Sequence, residues 1–429
     1  MSWRPFAMAA DVVVIGAGPG GSAAAHWLAR AGADVVILER ARFPRDKSCG
    51  DGVTAHAVDI LADMGVRFDD FRGKGARTFG GLIGGPSGDT FAADPPPHPS
   101  GAKVECWVVP RTLLDERLAR AAVSAGAVLR EETAVAGVTR RAGGLRVEYS
   151  DRSGAGAIDC KLVIGADGAH STVAKSLGLQ ENPPPHLGYA LRGYYEGVQG
   201  LSDKLEIYYY DKHTLPGYGW IFPAGDGLAN VGIGIFVGEL RRSKKKMREL
   251  LDEFLAHSPR IVERCAGAKL VGRAIGWPLP VSSAHRPTVF DNAMLVGDAA
   301  SLVDPLTGEG IYTALVSGRS AARAALGALA SGDASHAALR VHEREWRAEA
   351  GGYLSSGRLL KNLAKSPALL DLIIRRAAQS EYYASRAIGY GLGTLDRRRA
   401  LRSIVMKAVF NPSFFKAGRR DEAMPAAGG

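Results

Sequence analysis

The 429-residue chain is predicted to fold as an α/β protein with a parallel sheet, a second sheet of antiparallel strands and a helical C-terminal segment. Three observations carry that prediction. Short unbroken apolar runs at 11–15, 34–38, 161–165 and 293–297 have the length and pattern of parallel strands buried on both faces. Between 187 and 236 the apolar residues alternate instead, and aromatics are frequent, as in an antiparallel sheet. Beyond residue 330 the apolar positions recur every three to four residues, which is helical spacing.

The first run, Asp11-Val-Val-Val-Ile15, leads into Gly16-Ala-Gly18-Pro-Gly20-Gly21 and a helix of small residues; the second run ends in Glu39. Strand, glycine turn, helix and second strand with an acid form a dinucleotide-binding unit. Gly16 permits the tight turn, Gly18 lets a pyrophosphate approach the backbone, and Gly21 lets helix and strand pack closely. The helix start offers N–H groups and partial positive charge to the diphosphate. Glu39 has the acceptors for both ribose hydroxyls.

Two later turns separate FAD from NAD. One is Gly165-Ala-Asp167-Gly168-Ala-His-Ser171. The other is Gly297-Asp298, followed by Asp304-Pro-Leu-Thr-Gly308-Glu309-Gly310 and a helix predicted over 312–330. In this order the motifs resemble the flavin hydroxylase superfamily, with its glutathione-reductase-like FAD-binding domain. The resemblance implies that Asp298 bonds the ribityl chain and that N–H groups around Gly308, Gly310 and Ile311 face the flavin pyrimidine. It further implies cofactor contacts from Gly20, Arg40, Cys49, Gly50 and Arg111, the last opening a helix beside the flavin. One departure is that Ala174 and Lys175 stand where an arginine is usual.

Two further motifs, Lys47-Ser-Cys49-Gly50-Asp51-Gly52 and Leu215-Pro-Gly-Tyr218-Gly-Trp220-Ile-Phe222-Pro223, resemble the geranylgeranyl reductase family and, within it, the menaquinone reductases. That resemblance implies saturation of carbon–carbon double bonds in a polyprenyl chain, a geranylgeranyl group or a menaquinone tail, by hydride from reduced FAD. An isolated alkene is a poor hydride acceptor, so the site needs an acid, an apolar slot and a reduced flavin. Cys49, whose free thiol titrates near ~8.5, is the candidate proton donor; otherwise it is a small buried hydrophobe. Tyr218 and Trp220, two apart on a strand, face one side and wall either a prenyl channel or the core. Asp51 is either a second polar group at the site or the cap of a helix beginning near Thr54.

Four scattered cysteines without a Cys-x-x-Cys pair argue against a zinc site and for a reducing compartment; no metal is expected. The formal net charge is +10, and residues 351–429 carry +9 of it. Basic residues there, Arg397 to Arg399, Arg402 and Lys407, interleave with Leu401, Ile404 and Val405 in a pattern that suits an anionic membrane surface. A nucleic-acid partner is not expected, because the segment has no zinc knuckle or recognition-helix pattern. The location expected is the cytoplasm, with peripheral contact to the inner face of the cell membrane, and the state expected is a monomer or weak dimer. The electron donor is NAD(P)H or a ferredoxin, since no second nucleotide fingerprint is present.

The domain reading assigns 1–80, 110–178 and 287–329 to a discontinuous FAD-binding domain. Residues 81–109 and 179–286 form the substrate-binding domain, and 330–429 the helical basic segment. Arg241-Arg-Ser-Lys-Lys-Lys246 is read as the start of a solvated helix. The rival function is an FAD-dependent monooxygenase or hydroxylase, or less readily a halogenase, of an aromatic or polyketide. Tyr218 and Phe222 depart from the halogenase pattern Trp-x-Trp-x-Ile-Pro at two places.

Overall fold

A computed structural model describes residues 8–98, 100–283 and 286–396. Five strands run parallel in the order Ala293–Leu295, Gly154–Gly165, Met8–Ile15, Val35–Leu38 and Val128–Arg130. Val13 stands opposite Val163 on one side and Val36 on the other. Val13 and Ile15 enter one core cluster while Val12 and Val14 enter another. Burial on both faces is why the run carries no polar alternation. The strand Gly154–Gly165 is longer than its apolar run, and its first half pairs antiparallel with Gly144–Asp151.

Helices Pro19–Arg30, Arg111–Ser124 and Ile311–Ser331 cover this sheet, and His336–Leu363 packs behind the last. His342 pins the two C-terminal layers: its Nδ1 accepts from Ser320 (2.7 Å) and its Nε2 donates to the Leu295 carbonyl (3.0 Å). Burial pushes its pKa down to about 4, so it stays neutral in this contact.

The second sheet has seven strands, in the order Lys269–Pro280, Leu187–Glu196, Leu228–Phe236, Tyr218–Pro223, Lys204–Tyr208, Gly80–Gly84 and Thr90–Ala93. It is mixed, not wholly antiparallel: Lys204–Tyr208 runs parallel to Gly80–Gly84. The two are joined by a long stretch of chain, so no tight hairpin dictates opposed directions. Leu250, Leu251 and Phe254 seal one face of this sheet. Ile374, Ala384, Ile388 and Leu392 from helices Pro367–Ala378 and Glu381–Gly391 and the turn after them pack elsewhere against it.

The basic run at 241–246 does not start a helix. It closes Val237–Ser243, turns at Lys244 with φ +56°, and Lys246 is the N-cap of Met247–Leu255. In the C-terminal segment, Leu370 and Ile374 are buried while Leu359, Leu363 and Ile373 are exposed. The basic amphipathic stretch at 397–409 lies outside the described residues. Among the described residues no helix is long and apolar enough to cross a membrane, and no cluster of His, Cys, Asp or Glu could hold a metal ion. All four cysteines are free.

Candidate active site

Three parallel strands end at one groove: the turns after Ile15, Gly165 and Leu295 line it through Gly18, Ala166 and Gly297. Ligand sites in open α/β sheets sit at such carboxyl ends. Gly16 has φ +97°, and a Cβ on Gly21 would lie 1.9 Å from the Gly16 carbonyl oxygen, so helix Pro19–Arg30 reaches the turn only because both lack side chains. A Cβ on Gly18 would touch nothing within 4 Å, and no side chain caps this helix. Its first turn is open to an anion.

Glu39 supports the turn from behind. Its Oε2 accepts from the Ala17 N–H (3.0 Å) and its Oε1 from the Ala41 N–H (3.0 Å). Arg45 links Glu39 (3.3 Å) to Asp115 (2.7 Å), and Asp115 binds Arg111 through two bonds of 2.6 and 2.7 Å. Burial pushes the Asp115 carboxyl up, but Arg111 and Arg45 outweigh it and hold the group below the usual carboxylate range. Arg111 opens helix Arg111–Ser124, is itself buried, and lies against the Cys49 sulfur.

At the other end, helix Ile311–Ser331 begins at Gly310 with no side-chain bond from its N-cap; Glu309 takes the Tyr312 N–H (2.5 Å). Gly308 sits at φ +67°, and the buried Asp304 fixes the loop by accepting from the Leu306 and Thr307 N–H groups (3.1 and 2.8 Å). The Tyr218 hydroxyl reaches across from the second sheet to donate to the Thr307 carbonyl. Asp298 faces the groove with one oxygen paired to Lys47 (2.9 Å).

Tyr218, Trp220 and Phe222 share one side of their strand, with ring centroids 6.2 and 6.3 Å apart, and all three line the groove. The cavity encloses about 260 Å³. Its remaining wall includes Ile83 and Ile207 of the second sheet, with Ile388 and Leu392. Cys49 also lines it, and burial pushes its thiol pKa up despite the nearby Arg111.

Asp51 does not cap the following helix, whose N-cap is Thr54. It is fully buried at φ +62°, and its Oδ2 accepts from the Tyr194 hydroxyl (2.5 Å) and Asn230 Nδ2 (2.8 Å). The same Asn230 nitrogen donates to the Cys49 carbonyl (2.8 Å), and Asn230 Oδ1 accepts from the Trp220 indole (2.9 Å). Burial pushes the Asp51 carboxyl up to about 6.

Of the residues singled out from sequence, Gly18, Gly20, Cys49, Gly50, Arg111, Tyr218, Trp220, Asp298, Gly308, Gly310 and Ile311 line one groove. Gly16, Gly21 and Glu39 buttress it. Arg40 does not reach it: the side chain is exposed and its guanidinium lies 5.8 Å from the Trp277 ring centroid. Sequence reasoning missed Tyr194, Asn230, the Lys47–Asp298 pair and the wall from Ile388 and Leu392. Asn230, a polar residue inside a buried apolar strand, was the one local signal.

An uncapped helix start, a second whose N-cap makes no side-chain bond, a glycine cradle and an acid behind it suit a diphosphate joined to a ribose and an isoalloxazine, so the residues present fit FAD. The class is therefore a flavoprotein, and residues 9–353 match the family model described as FAD binding domain. The chain is 38% identical over 323 residues to a menaquinone reductase of Mycolicibacterium smegmatis, covering 73% of this chain and 75% of that protein. It is 36% identical over 348 residues to digeranylgeranylglycerophospholipid reductase 1 of Methanopyrus kandleri, covering 79% and 86%. A crystal structure of a geranylgeranyl bacteriochlorophyll reductase-like protein from Thermoplasma acidophilum superposes with a TM-score of 0.80 at 25% identity, over 93% of this chain and 99% of that one. The chain belongs to the geranylgeranyl reductase family of FAD-dependent oxidoreductases.

Proposed function

We propose that this enzyme saturates carbon–carbon double bonds of a polyprenyl chain, and that its substrate is a menaquinone tail. The observation that carries the reading is an apolar cavity with a single thiol on its wall, continuous with the cofactor cradle. The part of the wall made by Ile83, Ile207, Trp220, Phe222, Ile388 and Leu392 is aliphatic and aromatic, as a hydrocarbon chain requires.

Bound FAD, once reduced, supplies hydride transfer to carbon. The protein supplies the rest. Gly18, Gly20 and the start of helix Pro19–Arg30 bind the diphosphate, and Glu39 orients the ribose. The loop at Gly308 to Ile311 presents N–H groups where negative charge collects. Tyr218, Trp220 and Phe222 hold the chain in line and exclude water. Cys49 Sγ holds the proton for the alkene carbon that does not take the hydride.

Anaerobic photoreduction followed by mixing with menaquinone, geranylgeranyl diphosphate or a geranylgeranyl lipid tests this. Menaquinone is expected to re-oxidise the flavin and gain two hydrogens in its tail, a gain that persists after the ring has been returned to the quinone by air. Re-oxidation by none of the three, with oxygen consumption coupled to an aromatic substrate, would establish the hydroxylase instead. Leu359, Leu363 and Ile373, exposed among basic residues, suit docking on an anionic bilayer where such a substrate resides. Sedimentation with anionic liposomes is expected at low salt and lost at high salt; no binding at low salt removes the membrane from the proposal.

A further inference from the structure

Three cations stand around Cys49 and Asp51, and each has its own carboxylate. Arg111 binds Asp115, Lys47 binds Asp298, and the buried Arg192 binds Asp46 while its guanidinium lies 4.5 Å from the Tyr194 ring centroid. Asp51 forms none of the ion pairs found among the described residues; its Oδ2 is held by two neutral donors, and its buried Oδ1 has no hydrogen-bond partner. An ionised Asp51 therefore leaves the cluster with one negative charge in excess. The backbone joins this residue to the sulfur, the Asp51 N–H donating to Cys49 Sγ (3.2 Å), and its charge opposes a thiolate there.

The backbone makes the placement costly, and so worth explaining. A non-glycine residue in the left-handed region is strained by about 1 kcal/mol or more, and such strain concentrates where a side chain must be aimed. Asn230 makes the aim rigid by tying the Asp51 carboxylate, the Cys49 carbonyl and the Trp220 indole into one unit.

We propose that Asp51 is a positioning residue: its carboxylate, clamped by Tyr194 and Asn230, adds to burial in keeping the sulfur of Cys49 a thiol facing the cavity beside Arg111. A guanidinium against a sulfur favours the thiolate, which has no proton to give. A carboxylate two residues away makes a second negative charge unfavourable. Arg111 remains free to fix the geometry without removing the proton. The groups that face the pair are Lys47 and Arg111 around the sulfur, with Arg192, Tyr194 and Asn230 around the carboxylate. The carboxyl titrates near 6, so above that pH the restraint on the thiol is in force. The role assigned to the thiol rests on the prenyl-reductase reading; the Asp51–Cys49 coupling does not.

The test is the rate at which iodoacetamide alkylates Cys49 in the holoenzyme, read by mass spectrometry of the Cys49 peptide between about pH 6 and 10. Asp51→Asn is expected to increase the rate at about pH 8 roughly tenfold, equivalent to a thiol pKa lowered by about one unit. Tyr194→Phe removes one donor to the carboxylate, keeps Asp51 protonated to higher pH, and is expected to increase the rate at about pH 7 by roughly threefold. If Asp51→Asn does not retain flavin, Tyr194→Phe carries the test alone. An unchanged or slower rate in a flavin-loaded variant overturns the proposal. No prenyl substrate takes part, so failure of the substrate reading and failure of this coupling give different results.

Discussion

The two sides of the groove are made of different material. The side contributed by the parallel sheet is backbone: glycine turns and helix starts whose peptide groups face the cofactor. The other side is side chain: three aromatics of the mixed sheet in edge-on and tilted contact, with the Cys49 thiol and the Asp51 carboxylate from the loop before Gly52–Val53, the carboxylate held by Tyr194 and Asn230. A backbone surface tolerates little change where an added Cβ would strike main chain, as at Gly16 and Gly21. A side-chain surface can be altered residue by residue while the cofactor stays in place. Retention of FAD and handling of the substrate are therefore separable here.

The largest loss is expected on the backbone side. Gly21→Val would put Cβ 1.9 Å from the Gly16 carbonyl oxygen, where nothing can yield. A loss of roughly 4 kcal/mol or more is expected, seen as colourless or insoluble protein. A stably folded yellow variant would show that the cradle is not rigid.

The next largest effect concerns Asp51, whose carboxyl titrates at about 6 when folded. For an acid with a raised folded pKa, stability is fully present below the unfolded value of ~3.9 and is lost as pH rises through the folded one; about 2 units correspond to roughly 3 kcal/mol. Asp51→Asn mimics the protonated form. Its melting temperature relative to the parent should therefore rise between about pH 4 and 7, and a difference that does not change with pH would refute the linkage.

Cys49→Ala sharpens the comparison from the side-chain face. Single-turnover prenyl reduction should fall by roughly 100-fold, the scale of a lost general acid, while visible absorbance stays that of the parent. Equal rates would remove the thiol from the chemistry. The smallest effect is expected for Tyr218→Phe, which loses the hydrogen bond to the Thr307 carbonyl. About 1 kcal/mol of stability should go, measured by denaturant titration.

The same contrast explains what was legible beforehand. The cradle could be read because its parts are neighbours in the chain: Gly16, Gly18 and Gly21 lie within six residues, with Glu39 just past the end of the next strand. The Asp51 unit could not: Asn230 lies 179 residues away, strand register pairs it with Tyr194, and the loop carrying Asp51 meets that pair only through the tertiary fold. Arg40 was drawn into the cofactor set by adjacency to Glu39; it lies in a bend past the strand Val35–Leu38, and its exposed side chain does not line the groove. The parallel pairing of Lys204–Tyr208 with Gly80–Gly84 left no mark on either strand's pattern, because alternation reports burial and not direction. Ile388 and Leu392 read as ordinary helix-face residues, and nothing local tells a core contact from a cavity wall.

The helix Glu381–Gly391 closes the cavity from outside the region that matches the FAD-binding model. A chain stopped before it would therefore keep its pigment and lose its container: the oily guest would have a floor and one bank, with no roof against the surrounding solvent.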